Sequence, residues 1–234
     1  MPTRTFFDLD PARRDRLVRE AIAEFSERTY AEASLSQIAK RTQIAKGSFY
    51  QYFADKLDLY RWLVTEEAPR HKREFIGAEP PTGDFWLDFE NMIERGMAFL
   101  VEHPRLARLT AAAADPTATA DVRGLHRAIC EAGIDELRAQ LERGIETGAL
   151  DKPGLDIEVA TRLVAAIIGP GLTDVVLHEL GAELHEVLRS DSLRKKLGPA
   201  RRRRLAHQAV LLIQNGLGLG ERQSSTRKTR HAHV

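Results

Sequence analysis

Residues 44–56 read IAKGSFYQYFADK, a short helical stretch that carries a glycine, phenylalanines, tyrosines, a glutamine and two lysines where a core helix would carry leucines. Each residue turns a helix by about 100°, so its faces follow from arithmetic. With Phe49 and Phe53 set toward the core, Gly47 and Gln51 fall opposite, Lys46 and Tyr50 on one flank, and Ser48 and Tyr52 on the other. A narrow apolar seam with hydrogen-bonding groups around the rest suits a helix that enters a DNA major groove, about 12 Å wide. Gly47 removes a side chain where approach is closest, and Gln51 can address a base edge. Tyr50, Tyr52, Lys46 and Lys56 can reach phosphates. The competing reading is an aromatic corner with solvated lysines. It holds outright for the two phenylalanines; for the tyrosines, spacing alone leaves both open.

Outward from this stretch the helical period recurs along the chain, and no run of alternating β-branched residues flanked by hairpin turns is found. The fold class is therefore all-α. A first helix should start after Pro11, bury Leu17, Val18, Ala21, Ile22 and Phe25, and end near Arg28. Ser34 and Gln37 form an S-x-x-Q capping box for a second helix burying Leu35, Ile38 and Ala39. A tight turn leads to a third helix, roughly Lys46 to Phe53, and Asp55 caps a fourth running toward Lys72. Beyond GAEPPTGD the periodic segments lengthen: 84–102, 104–114, 119–147, 156–188 and 199 to about 219. Pro170, within Ile168-Gly169-Pro170-Gly171, should kink or break its helix. We divide the chain into a helix-turn-helix domain (1–54), a helical effector-binding and dimerisation domain (55–220) and a disordered basic tail (221–234).

Composition narrows the function. The 234 residues are 43% hydrophobic with a net charge of +1, so the chain is not a generally basic nucleic-acid coat, yet Leu35 to Lys56 carries four basic residues against one acid. No window approaches the eighteen or so apolar residues of a membrane span, and the N-terminus lacks a secretory core, so a cytoplasmic protein without a membrane partner is expected. Cys130, the single cysteine, reads as a small packed hydrophobe. His178-Glu179 and His185-Glu186 stand too far apart to share a zinc ion, HExxH is absent, and neither G-x-S-x-G nor a P-loop occurs. No catalytic constellation, metal site or cofactor is expected.

From Arg14 to Leu63 the sequence resembles the DNA-binding domain of the TetR family of bacterial transcriptional regulators. The likeness rests on FSERTYAEAS followed by LSQIAKRTQIAKGSFYQYFADKLDLY, with Lys46, Gly47, Ser48, Phe49, Tyr50, Tyr52, Phe53 and Lys56 in register with the family pattern. Beyond it only RGIETGALDKPGLDIEVATRLV (143–164) is similar. Thr29, Gln43 and Ala45 depart from the pattern, standing where members mostly have a helix-closing glycine, a turn glycine and a capping Ser or Thr. An alanine N-cap costs about 1 kcal/mol, which would soften the third helix until DNA holds it. Gln43 either touches DNA or is a plain exposed turn residue.

The resemblance implies a regulator, typically a repressor, that binds a near-palindromic double-stranded DNA operator as a homodimer and is released by a small-molecule effector. The candidate DNA-contacting set is Ser34, Gln43, Lys46, Gly47, Ser48, Tyr50, Gln51, Tyr52 and Lys56. Phe85, Trp86, Phe89, Met92, Phe99 and Pro170 are candidates for the effector site, though the same residues can fill a plain core. Leu172, Val175, Val176, Leu180, Ala209, Val210 and Ile213 are candidates for a four-helix dimer interface. The rival is a helical scaffold or adaptor of the same fold that has lost operator binding.

Overall fold

Asp10 and Pro11 fix where the first long helix begins: the Asp10 carboxylate accepts the Arg13 N–H at 3.2 Å, and Pro11 has no N–H to leave unpaired in the first turn. The computed structural model describes residues 1–114, 118–150 and 154–217, so the 221–234 tail lies outside the described residues. A short helix α1 (Arg4–Phe7) precedes α2 (Pro11–Glu27), whose expected stripe is buried throughout. Four residues are too few to show a period. What holds α1 is tertiary packing of the fully buried Phe6.

The next helices are α3 (Leu35–Thr42), α4 (Lys46–Phe49) and α5 (Lys56–Trp62); α5 passes through a π turn (Leu63–Glu67) into α6 (Ala68–Ile76). The π turn sits where Pro69 cannot donate to the carbonyl of Thr65. Asp55 caps α5 as expected, accepting the Asp58 N–H at 2.7 Å. The Ser34 capping box does not form. Instead the Ser34 N–H donates to buried Glu24 at 3.0 Å, and the same carboxylate meets Arg41 at 3.0 Å and Arg28 at 3.4 Å. A carboxylate on the neighbouring helix thus takes an N–H at the head of α3 and ties α2 to α3.

The larger part comprises α7 (Phe85–Glu102), α8 (Pro104–Ala111, ending in a 3₁₀ turn), α9 (Ala120–Glu146), α10 (Ile157–Ala166), a π turn (Ile167–Gly171), α11 (Leu172–Leu180), α12 (Leu184–Arg189), α13 (Asp191–Lys196) and α14 (Pro199–Leu217). No strand occurs among the described residues. Pro170 widens its helix into the π turn without ending it. The expected helix to residue 188 stops early, because Gly181 adopts φ 61° and Glu183 with Glu186 forms a capping box that starts α12.

Two apolar cores result. The first joins α1, α2, α3, α4 and α5 to α8 and the start of α9, so the 54/55 boundary falls inside one continuous core. The second joins α7 and the rest of α9 to α10, α11 and α14, with α7 packed along α14 and α10 along α9. Ile157–Leu180 has a mean hydropathy of 1.5 in its most apolar window, and only 22% of that window is buried. By length and composition alone this segment is long and apolar enough to cross a membrane, which corrects the expectation that no window comes near one. Cys130 is exposed, not packed as expected, because the face of α9 that carries it is open. Partial burial and the Glu131 carboxylate push its thiol up, away from nucleophilic use.

Candidate nucleic-acid interface

Helices α3 and α4 meet through Gln43, Ile44 and Ala45. Gln43 is left-handed at φ 60°, its N–H donating to Lys40 at 3.3 Å and the Ile44 N–H to Ala39 at 3.1 Å. This is a Schellman closure. Glutamine therefore occupies a position that glycine fills without strain. Ala45 supplies no side-chain cap to α4.

The reading segment is shorter and tighter than expected. α4 ends at Phe49, and the chain continues with Gln51 donating to Ser48 at 3.1 Å and Tyr52 to Phe49 at 3.0 Å. Bonds to the third residue back stack side chains i and i+3 over one another. Tyr52 consequently follows Phe49 into the core and is 8% exposed, where uniform α-geometry would have set it on a flank. Tyr52 is thus removed from the open face. Gly47, Gln51 and Gln43 are exposed, Ser48 is half-buried, and Tyr50 is 53% exposed, while Phe49 and Phe53 are buried. A β-carbon built on Gly47 would meet nothing within 4 Å. The backbone of Lys46 begins α4; its side chain lies outside the described set.

Lys56 also departs from expectation. Its ammonium donates to the carbonyls of Tyr30 (2.7 Å), Ala31 (3.1 Å) and Ala33 (3.1 Å), and lies 4.6 Å from the Tyr30 ring centre. An ammonium has three protons, and all three are used. Lys56 clamps the α2–α3 loop instead of facing a phosphate. Arg41 is likewise held by Glu24 and Glu20. Ser34 is half-buried at the head of α3.

An N-terminal arm supports the segment from below. The Thr3 N–H donates to the Tyr52 carbonyl at 3.0 Å and its hydroxyl to the Gln51 carbonyl at 2.5 Å, while the Met1 amino group pairs with Asp58. The Phe6 ring lies 5.0 Å from Phe53 and 5.1 Å from Trp62. The arm thus anchors the C-terminal end of a segment whose N-terminus lacks a cap. The only sequence signal for it was the Phe6-Phe7 pair ahead of Asp10-Pro11.

The expected effector set does not converge. Phe85, Trp86 and Phe89 form one aromatic group, with Met92 packed against the same second core. Phe99 belongs to the first core, beside Phe75 and His103, and Pro170 is exposed. Helix spacing in sequence did not show that α7 contributes to both cores. Phe85 and Trp86 alone of the set line an open cleft of about 430 Å³, with Asp88, Arg143 and Thr147.

The dimer candidates divide as well. Leu172, Val176, Leu180, Ala209, Val210 and Ile213 are buried within the chain, and only Val175 of that set is exposed. The exposed large aliphatic residues of α10, α11 and α14 are instead Val159, Leu163 (61% exposed), Val175, Leu211 and Leu212 (63% exposed).

Comparison with known proteins bears on this geometry. The family model for bacterial regulatory proteins of the tetR family matches residues 17–62. Across the whole chain, the solved structure of a TetR family transcriptional regulator from Chloroflexus aurantiacus J-10-FL is 30% identical, covering 93% of this chain and 99% of its own, with a TM-score of 0.62. The chain belongs to the TetR family. TetR-fold neighbours include Salmonella enterica GusR (20% identity, 90% and 98% covered, TM-score 0.64) and FadR from Bacillus subtilis in complex with stearoyl-CoA (21%, 78% and 96%, TM-score 0.58). No curated protein matches the sequence. The TetR helix-turn-helix is thus α3, the Gln43–Ala45 turn and α4, and the chain is a DNA-binding transcriptional regulator by family.

Proposed function

We propose that this protein is a repressor that reads a near-palindromic operator as a homodimer and is released by a small-molecule effector. One observation carries the reading: Gly47, Tyr50 and Gln51 share the open face of a segment whose opposite face, Phe49 and Phe53, is locked in the core. Gln51 is assigned to a base edge, and Tyr50, Ser48 and Lys46 to the phosphate walls, with Gln43 at the rim. Tyr52, Lys56 and Ser34 serve as the frame.

Two heads spaced by about 34–36 Å need a rigid joint. A ridge of Val159, Leu163, Val175 and Leu212 supplies it, since covering it with a second copy removes the largest exposed aliphatic side chains of α10, α11 and α14. The same covering accounts for the low burial of Ile157–Leu180 in a protein that works on DNA in the cytoplasm. For the effector we assign Phe85 and Trp86 at the open cleft, backed by Phe89 and Met92. The stearoyl-CoA bound by the Bacillus subtilis neighbour supports an amphipathic effector.

Footprinting and gel shifts on the DNA flanking its own coding region test the reading. One near-palindrome is preferred over bulk DNA, binding weakens steeply with salt, and Gln51→Ala loses about 5- to 150-fold at that site. Uniform binding to every fragment, or none, would instead leave the scaffold reading.

A further inference from the structure

A second group of charged side chains gathers around α8. Helix α8 packs on α2 on one side and on α12 on the other, and α13 follows α12 after a single residue. Arg108 of α8 is half-buried, and its Nε is buried without a hydrogen-bond partner. Arg105 of the same helix, Arg189 at the end of α12 and Arg194 of α13 act on it as like charges, and Glu27 of α2 is the acid that opposes them. Arg194 is fixed in place by the Leu188 carbonyl at 2.9 Å and by Asp191 at 3.4 Å.

We propose that Arg105, Arg108, Arg189 and Arg194 form a binding site for the phosphate group of a small molecule. A buried donor left unpaired among like charges is costly in isolation, and an anion removes both costs together. Guanidinium forks match phosphate oxygens bidentately. A single carboxylate satisfies one such fork, whereas four arginines from three helices suit a dianion or a pyrophosphate. Burial and the neighbouring arginines also push the Arg108 guanidinium below its ordinary value, which an anion would reverse. The packing partners of α8 include α2, α7 and α12, whereas the reading segment packs on α3. The site stands whether or not the operator assignment does.

The test titrates inorganic pyrophosphate into the full chain at fixed ionic strength and follows Tm. At ten times the half-saturating concentration the wild-type Tm rises by about 4 °C. Arg108→Met, which keeps the length and bulk of the stem, loses the rise, and Arg105→Gln and Arg189→Gln, both at exposed positions, reduce it. An equal rise in Arg108→Met, or a wild-type rise no larger than chloride gives, overturns the proposal. Gel shifts separate the two sources of phosphate. Unchanged DNA affinity and salt slope in Arg105→Gln support a small molecule, whereas a slope reduced by about one assigns the arginines to the DNA backbone and overturns it. Should Arg108→Met fail to fold, the two exposed variants carry both measurements.

Discussion

Replacing Lys56 by methionine separates a clamp from a phosphate contact. The side chain holds the carbonyls of Tyr30, Ala31 and Ala33 at 2.7, 3.1 and 3.1 Å and faces the Tyr30 ring. A hydrogen bond to a charged group nets about 1.5–3 kcal/mol and a cation–π contact about 0.5–1. Because one half-buried cation makes all of these, they do not add, and about 2–4 kcal/mol is expected for the set. For a chain of this size that lowers Tm by about 4–16 °C. A fold stable by about 5–15 kcal/mol remains mostly native at 25 °C, so operator binding can still be measured. A lost phosphate contact reduces the salt slope by about one; a lost clamp leaves it unchanged. The assay is therefore a thermal melt paired with gel shifts at several salt concentrations. An unaltered Tm together with a shallower slope would refute the clamp.

Gln43→Gly relieves a left-handed glutamine at some cost in unfolded-chain entropy and should raise stability by about 0.5–1 kcal/mol in urea melts; a loss of stability contradicts the Schellman assignment. Phe6→Ala, which empties the contact with Phe53 and Trp62, should cost about 3–5 kcal/mol and speed amide exchange across residues 46–53. Unchanged exchange there would separate the arm from the reading segment. Leu163→Glu should weaken the dimer by at least about 100-fold by placing a charge in an apolar joint, seen by light scattering as a monomer; a dimer that survives puts the interface elsewhere. His103 stacks on Phe99, and burial, with His71 adding like charge against Glu102, lowers its pKa from the ordinary 6.5. A depressed imidazole means the unfolded chain binds the proton more readily, so this stability is present above pH 6.5 and lost as pH falls below it. His103→Asn should flatten that part of a Tm-against-pH curve, and an unchanged curve would remove His103 from the account.

Long amphipathic helices were legible because their period repeats over several turns: the stripe of α2, the Asp55 cap and the Pro170 distortion follow from residue spacing. Local windings were not. Tyr52 was misplaced because one residue's difference between α and 3₁₀ geometry moves a side chain from flank to core. Lys56 was misread because its partners lie about 25 residues away in the α2–α3 loop, a contact no local pattern encodes. The dimer candidates divide between inner and outer rows for a related reason. Apolar residues on both sides of α10 and α11 look alike in sequence, and only packing against α9 and α14 tells the inner row, Val176 and Leu180, from the outer one, Leu163 and Val175.

The π turn at Ile167–Gly171 acts as a phase adjuster. Twelve residues separate Leu163 from Val175, and in a regular α-helix they would stand about 120° apart. By absorbing one extra residue, the wider turn leaves the equivalent of eleven and brings the two side chains to within about 20° of each other. Deleting one residue from this turn would return it to regular α-helix with a spacing of eleven, and the outer row would stay aligned to within about 20°. What the joint must keep is therefore the match between residue count and winding: a twelve-residue spacing aligns the outer row only while the turn stays wide, and forcing Ile167–Gly171 into regular α-helix would carry Val175 about 120° from Leu163.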